Sequence, residues 1–260
     1  MRKDKTYWVA MLMAMICLGI AALFFGKVVD QELQYKEGDD VYERIADIVA
    51  DDSDPSEENN IQETEGLDEE CALDIGIDIT DLQAENPNVK AWLYCPDTVI
   101  NYPVCQGEDN SYYLKHLVDG TYNANGCLFI DCKNAGDFSD DNTIIYGHHM
   151  KSGKMFASLI RYADQSYYEE HPEMYLVIRD KAYRLELFSG YVTTMDSSAY
   201  TINCGSRKEF AEWLREVSNR SDFVPRPMVL GTEDKIITLS TCAYNFHNAR
   251  YVVHGRIVKN

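Results

Sequence analysis

An uncharged run of 18 residues at positions 8–25 restricts the architecture of this 260-residue chain more than any other feature. As a helix the run would be about 27 Å long, close to the thickness of a bilayer's hydrocarbon core. Arg2, Lys3 and Lys5 precede it, and such bases stay on the cytoplasmic side. We therefore expect a single-pass membrane helix, a cytoplasmic N-terminus and an extracellular remainder. A cleaved signal peptide is the alternative, although the run is long for one and no small-residue cleavage site follows.

The acidic charge of the chain is concentrated after this run. The formal net charge is -19, and residues 29–70 hold 17 acids against two bases, Lys36 and Arg44. Because like charges repel and few apolar side chains are available for burial, we expect an extended linker, in which 41–50 could form a short helix. The predicted units are the tip and anchor (1–28), the linker (29–70) and a globular domain (71–260). The acidic balance excludes a nucleic-acid partner, which requires a basic surface.

The globular domain shows many short apolar segments with few helical ones. Turn residues separate eight strand candidates, at 92–94, 99–104, 128–130, 143–146, 174–178, 183–192, 235–242 and 251–258. Apolar residues at helical spacing predict one helix at about 208–219, and 155–162 is a second candidate. The pattern predicts a mainly β fold, a barrel or a sandwich, with helical insertions.

Two residues near the C-terminus indicate nucleophilic chemistry. Cys242 ends the strand pattern I-I-T-L-S-T, where a thiol is presented at the rim of a sheet. Thiolate is the nucleophilic form, and a nearby cation stabilises it. Arg250 begins the next apolar strand, so the two side chains can meet if the strands are antiparallel neighbours. Taken alone, a single cysteine is more often buried and inert.

A second candidate follows the strand at 143–146, where the sequence reads Y-G-H-H. Gly147 permits an unusual backbone turn, and His148 is then available as an acid or base. Since neighbouring strand residues point to opposite sides, we expect only one of His148 and His149 to face a given site. The spacing of histidines and cysteines lacks the pattern of a zinc site, so we expect no metal and no cofactor.

Together these segments resemble one protein family. The chain carries T-I-I-Y-G-H-H at 143–149, T-L-S-T-C at 238–242 and R-Y-V-V at 250–253, in that order, on an anchored chain. Further likeness lies in N-P-N-V-K-A-W-L at 86–93, in Y-P-V at 102–104 and in G-C-L-F-I-D at 126–131. From about residue 86 to residue 260 the sequence resembles a class B sortase.

The resemblance implies a closed eight-stranded β-barrel with N-terminal helices and a long helix before the cysteine strand. It also implies that Cys242 attacks a threonine carbonyl of a sorting signal, that His148 shuttles protons and that Arg250 stabilises the oxyanion. By the same resemblance the substrate groove is lined by Ser240, Asn110, Leu114 and Tyr200. Two departures are a short loop between Cys242 and Arg250, and Ala243 where some relatives carry an acid.

The implied partners are surface proteins with an Asn-Pro-x-Thr or Pro-x-Thr signal, a peptidoglycan amine and the membrane. Three alternatives stay open at this point: a cysteine peptidase that only hydrolyses, a pilin-polymerising sortase and an anchored binding domain without activity. The sequence does not identify the signal or the acceptor amine. The other extramembrane cysteines are expected to be free thiols; they are Cys71, Cys95, Cys105, Cys127, Cys132 and Cys204.

Overall fold

The structure, a computed structural model, describes residues 5–51, 76–179 and 181–258. Eight strands form one closed barrel in the order β1-β2-β3-β4-β7-β8-β6-β5. Their bounds are β1 Val89–Tyr94, β2 Asn101–Cys105, β3 Leu128–Ile130, β4 Asn142–Tyr146, β5 Glu173–Ile178, β6 Lys181–Thr194, β7 Ile236–Cys242 and β8 Ala249–Val258. Each of the eight predicted strand segments corresponds to one of these strands. The expectation of a mainly β barrel is confirmed.

Two of the strand pairs in the barrel are parallel, β2 with β3 and β4 with β7, while the other pairs are antiparallel. Parallel neighbours end at the same edge of a sheet. The carboxyl ends of β4 and β7 therefore lie side by side on one rim of the barrel.

One face of the β6–β8–β7 surface is covered by helix α4 (Arg207–Asn219), in the position predicted from its apolar spacing. The Ser206 side chain caps this helix by accepting a bond from the amide of Glu209. The buried face of α4 packs against Phe188, Tyr191 and Val252 of the barrel, and it consists of Phe210, Trp213, Leu214 and Val217. The connection between β6 and α4, residues 195–206, therefore lies next to the outer face of β7.

The remaining helices are α1 (Lys5–Asp51), α2 (Thr80–Glu85) and α3 (Gln165–Glu170). The helix predicted at 155–162 is a 3-10 helix at Ala157–Ala163 instead of an α-helix. Short 3-10 helices also occur at Tyr112–Leu114 and Ser198–Tyr200.

Helix α1 contains a stretch that is long and apolar enough to cross a membrane, judged by length and composition. The helix does not end with that stretch: it continues without interruption to Asp51. The expectation of an extended chain is therefore wrong for residues 29–40, and the short helix suggested at 41–50 is part of the longer α1. The predicted linker segment 52–70 and the predicted domain start at residue 71 lie outside the described residues.

The acidic part of α1 is helical because one of its faces packs on the barrel. Tyr35, Tyr42 and Val49 are spaced by seven residues and contact the barrel core, and Tyr42 and Val49 are buried. A seven-residue spacing places side chains on the same face of a helix. The Tyr42 hydroxyl donates to the carbonyl of Gly126 at 2.6 Å. The charge count hid this stripe, since most of the acids around it are exposed, although Asp39 and Glu43 contact Asn125 and Lys154 of the barrel domain.

Cys95, Cys105, Cys127, Cys132 and Cys204 are free thiols in the structure, as the sequence predicted, and Cys71 lies outside the described residues. Cys105 and Cys127 are fully buried, with their sulfur atoms 3.6 Å apart. Burial raises the pKa of the Cys105 thiol, because a thiolate is poorly solvated in the core.

Candidate active site

Cys242 and Arg250 lie directly opposite each other on antiparallel strands. Cys242 is the last residue of β7, and its register partner on β8 is Arg250. Directly opposite residues of such a pair point to the same face, with Cβ atoms about 4.5–5.5 Å apart. Both side chains are half-buried, so they remain accessible to a peptide. The thiol and the guanidinium therefore share one surface at the rim.

The guanidinium of Arg250 is held by two contacts that leave its charge uncompensated. It donates to the carbonyl of Ala249 at 3.0 Å and lies 3.1 Å from the sulfur of Met195. Among the residues that the structure describes, no carboxylate lies within 4.0 Å of it. A cation with this freedom can stabilise a negatively charged oxygen that forms beside Cys242.

His148 reaches the same rim from β4. In the parallel pairing of β4 with β7, Tyr146 is the register partner of Ser240. His148 and Cys242 each lie two residues further along, so both continue from adjacent strand ends. The segment between them is bonded to β7: the amide of Gly147 donates to the carbonyl of Ser240 at 3.1 Å, and the Thr241 hydroxyl donates to the carbonyl of Gly147 at 2.9 Å.

The proton on the His148 ring can be assigned from its partner. Its Nε2 lies 2.7 Å from the backbone carbonyl of Leu114, which can only accept a hydrogen bond. Nε2 therefore carries the hydrogen, and Nδ1 is the nitrogen left for proton transfer. The Leu114 side chain is 37% exposed, so it offers an apolar surface near this histidine.

Gly147 is required by space, and not by the unusual turn that the sequence suggested. Its φ does not lie in the left-handed region. A Cβ atom at this position would lie 2.5 Å from Cδ2 of Leu128 and 2.6 Å from Cδ2 of Phe156, both of which are buried. Only a glycine allows β4 to continue past these two side chains to His148.

The second histidine, His149, also contacts the rim. Its Nδ1 donates to the backbone carbonyl of Cys242 at 2.8 Å, and its ring packs edge-on against Tyr244. The two histidines thus have different partners at the same rim, and the expectation that only one of them faces the site stays a prediction. His149 fastens the histidine segment to the end of the cysteine strand.

Tyr200 and Ser240 are bonded to each other next to the cysteine. Their hydroxyl oxygens are 2.8 Å apart. Burial raises the pKa of Tyr200, and the negative charge of a Cys242 thiolate raises it further. The hydrogen bond to Ser240 and the positive charge of Arg250 act in the opposite direction and lower this pKa, but burial is the larger effect. The phenol is therefore bonded to the residue that lies two positions before Cys242 on β7.

Asn110 is linked to Tyr200 through two intervening side chains. Its Nδ2 donates to Oδ2 of Asp131 at 2.9 Å, and its Oδ1 accepts from the amide of Cys132 at 2.8 Å. The same carboxylate oxygen accepts from the Tyr146 hydroxyl at 2.9 Å. The Tyr146 ring stacks on Tyr200, with ring centroids 6.2 Å apart. Burial, together with the Asp131 charge, raises the pKa of Tyr146 well above its ordinary value.

All seven predicted site residues are therefore connected to one rim of the barrel, by register or by direct contacts. Their catalytic and binding roles stay predictions. Sequence reasoning gave no role to Tyr146, His149 or Asp131, although all three lie inside the motifs that carried the resemblance. Met195 left no signal in the sequence, because only the folded chain brings it to Arg250.

Comparison with known proteins agrees with this geometry. The family model described as "Sortase domain" matches residues 93–258. A sortase B of Listeria monocytogenes is 37% identical over 183 residues, which cover 70% of this chain and 74% of that protein.

Two solved structures extend the likeness to three dimensions. Sortase B from B. anthracis, in complex with AAEK1, superposes with a TM-score of 0.71 at 30% identity and covers 88% of this chain and 99% of that one. A sortase B–substrate complex of Staphylococcus aureus gives a TM-score of 0.64 at 30% identity, over 69% and 83% of the two chains. The chain therefore belongs to the sortase family of cysteine transpeptidases, and within it to class B.

Proposed function

We propose that this chain is a membrane-anchored sortase that cleaves a C-terminal sorting signal after threonine and transfers the protein to a peptidoglycan amine. The observation that carries the proposal is the register of Cys242 opposite Arg250, with His148 at the adjacent end of the parallel strand β4. This arrangement supplies a nucleophile, a cation and a base on one accessible face.

The first half of the reaction forms a thioester. Nδ1 of His148 takes the proton of the Cys242 thiol, and the sulfur attacks the threonine carbonyl. The negative charge that develops on the carbonyl oxygen is stabilised by Arg250. The carbon–nitrogen bond then breaks, and His148 returns its proton to the leaving amine. The Leu114 carbonyl keeps the ring oriented by accepting from Nε2 throughout.

The second half transfers the acyl group to the acceptor. An incoming amine attacks the thioester, and His148 accepts the proton that the amine loses. The carbon–sulfur bond breaks, and the proton passes to the sulfur, which restores the thiol. The net change is one amide bond exchanged for another, so no external oxidant, reductant or cofactor is needed.

The proposed groove for the signal runs along the rim past the residues predicted from the resemblance. Ser240 and Tyr200 lie beside the nucleophile, Leu114 offers an apolar contact and Asn110 presents an amide whose orientation is set by Asp131. A signal of the Asn-Pro-x-Thr or Pro-x-Thr type is the proposed substrate. The S. aureus relative solved with a substrate bound supports a peptide groove in this fold.

The proposed topology follows from α1. Residues 8–25 cross the membrane, the N-terminus is cytoplasmic and the barrel is extracellular, where sorting signals and peptidoglycan amines are accessible. Because α1 continues from the apolar stretch to its contacts with the barrel, we propose that it also holds the barrel at a set height above the bilayer.

The test uses the protein from residue 27 onward and quenched fluorescent peptides that carry candidate signals. Cys242→Ala is expected to abolish both cleavage and transfer to an amine. The control is Cys95→Ala, which changes another cysteine of the barrel domain and should retain both activities. Cleavage by Cys242→Ala would show the assignment to be wrong. Hydroxylamine or triglycine should accelerate turnover of the wild type, and the absence of such acceleration would favour a hydrolase.

A further inference from the structure

The connection between β6 and α4, residues 195–206, carries Tyr200 and is fastened to the start of β4. The amide nitrogen of Asn142 donates to the carbonyl of Ile202 at 2.9 Å. The Asn142 side-chain nitrogen donates to two further carbonyls, those of Thr201 at 2.9 Å and Ala199 at 3.2 Å. One buried asparagine therefore holds the backbone on both sides of Tyr200.

The other end of the Asn142 side chain is held by two residues of the barrel. Its Oδ1 lies 2.7 Å from the Thr238 hydroxyl, whose oxygen lies 2.8 Å from Nδ1 of His254. On the far side of the ring, Nε2 of His254 is 3.2 Å from the Tyr191 hydroxyl. These four side chains form a single hydrogen-bonded chain under the 195–206 connection.

The direction of each bond in this chain follows from the chemistry of its members. The Asn142 amide oxygen can only accept, so Thr238 donates its one hydrogen to it. The Thr238 oxygen must then accept from Nδ1–H of His254. Nε2 of the neutral ring carries no hydrogen and accepts from the Tyr191 hydroxyl. With the two Asn142 donor bonds to carbonyls, every member is satisfied and one orientation is specified.

All four members are buried: Asn142 and Tyr191 expose 1% and 3% of their surface, and Thr238 and His254 expose none. Burial, with a smaller contribution from the Arg220 charge, lowers the pKa of His254 to about 3, so the ring is neutral. A buried polar chain is costly when it is incomplete and rigid when it is complete. Because Asn142 ends this chain with bonds to the carbonyls of Ala199 and Thr201, the complete chain holds the backbone on either side of Tyr200 in place.

We propose that Asn142, Thr238 and His254 are positioning residues for peptide recognition, which hold the Tyr200 hydroxyl on Ser240 beside Cys242 and Arg250. The inference rests on the proposed function of the rim as a sorting-signal site. None of the three needs to touch the peptide. Their effect reaches the substrate through the orientation of Tyr200, and it is therefore expected in KM more than in kcat.

The experiment compares Thr238→Val, which removes only the hydroxyl, with Thr238→Ser, which keeps it. Thr238→Val is expected to lower kcat/KM for the sorting peptide about tenfold, mainly through KM, and Thr238→Ser to restore most of it. In a Tyr200→Ala background the valine change should have little further effect, because its route to the substrate is gone. The alkylation rate of Cys242 by iodoacetamide should stay within about twofold of the wild type.

A second measurement tests the inference without any peptide. Hydrogen exchange of the amides of residues 195–206 is expected to be about tenfold faster in Thr238→Val, with β5 unchanged. If Thr238→Val does not fold, Asn142→Asp serves instead, since it keeps the acceptor for Thr238 and removes both donor bonds to the carbonyls.

Unchanged exchange at 195–206 would overturn the positioning role, whatever the activity. Equal KM values for the wild type and Thr238→Val would do the same while leaving the proposed function intact. A wild type that cleaves no sorting peptide would refute the proposed function, and the exchange result would still decide whether the chain holds the Tyr200 segment.

Discussion

Adding a single methyl group at Gly147 should disable the candidate site. In Gly147→Ala the new Cβ would lie 2.5 Å from a methyl carbon of Leu128 and 2.6 Å from the ring of Phe156. Both neighbours are fully buried, so neither can move into solvent. The backbone at residue 147 must therefore shift, and with it the bonds that tie this residue to Ser240 and Thr241.

The size of the effect can be derived from these contacts. Overpacking by one methyl group in a closed core costs about 1–3 kcal/mol. For a domain of this size, 1 kcal/mol corresponds to roughly 2–4 °C in the melting temperature, so we expect a loss of about 2–12 °C. His148 follows directly in the chain, and a displacement of about 1 Å at a catalytic group can cost about a hundredfold in rate.

The assay combines thermal unfolding, followed by circular dichroism, with kcat/KM for a sorting peptide. Gly231→Ala is the matched control, because its new Cβ meets only one carboxylate oxygen at 3.9 Å and its φ is not positive. We expect the control to retain both the melting temperature and the activity. A Gly147→Ala protein with wild-type stability and wild-type kcat/KM would refute the view that space at this position sets the place of His148.

Three further predictions concern charge, pH and the anchor helix. Arg250→Ala should lower kcat about 100-fold with little change in melting temperature, and Arg250→Lys should recover part of the lost kcat. A kcat within about threefold of the wild type for the alanine variant would contradict the oxyanion role. The pKa of His254 is lowered to about 3 in the folded protein, whereas an unfolded histidine has a pKa of about 6.5. Below about pH 6.5 the unfolded chain therefore takes up a proton on His254 that the folded protein does not bind. The free energy of unfolding should for this reason fall by about 1–2 kcal/mol between pH 6.5 and pH 5. Urea unfolding of His254→Gln should show a flatter pH dependence, and equal slopes would speak against a buried neutral ring. A chain that begins at residue 76 should be less stable to urea by about 3 kcal/mol or more than one that begins at residue 27, because it lacks the buried Tyr42 and Val49; equal midpoints would mean that α1 contributes nothing to the barrel.

The sequence alone determined the features that depend on local patterns. The uncharged run at 8–25, the eight strand segments and the apolar face of α4 can all be read within a few residues of each other, and the structure contains each of them. The resemblance also singled out His148, Cys242 and Arg250, and the register of β4, β7 and β8 brings these three residues to one rim; their roles stay predictions. Strands and their ends can be predicted locally because the alternation of apolar and polar residues, and the turn residues that bound it, extend over only a few positions.

The tertiary structure decided whatever depends on a distant partner. By charge, residues 29–51 look like a solvated linker with a short helix at 41–50. In the structure Tyr35, Tyr42 and Val49 hold this whole segment on the barrel as one helix, and the barrel surface that they contact exists only in the folded chain.

The same holds for the candidate site. Gly147 is explained by the space that Leu128 and Phe156 leave, and the contact from Thr238 to Asn142 spans 96 residues of sequence. Side-chain contacts of this kind exist only once the chain has closed, since packing and burial fix them and sequence spacing does not.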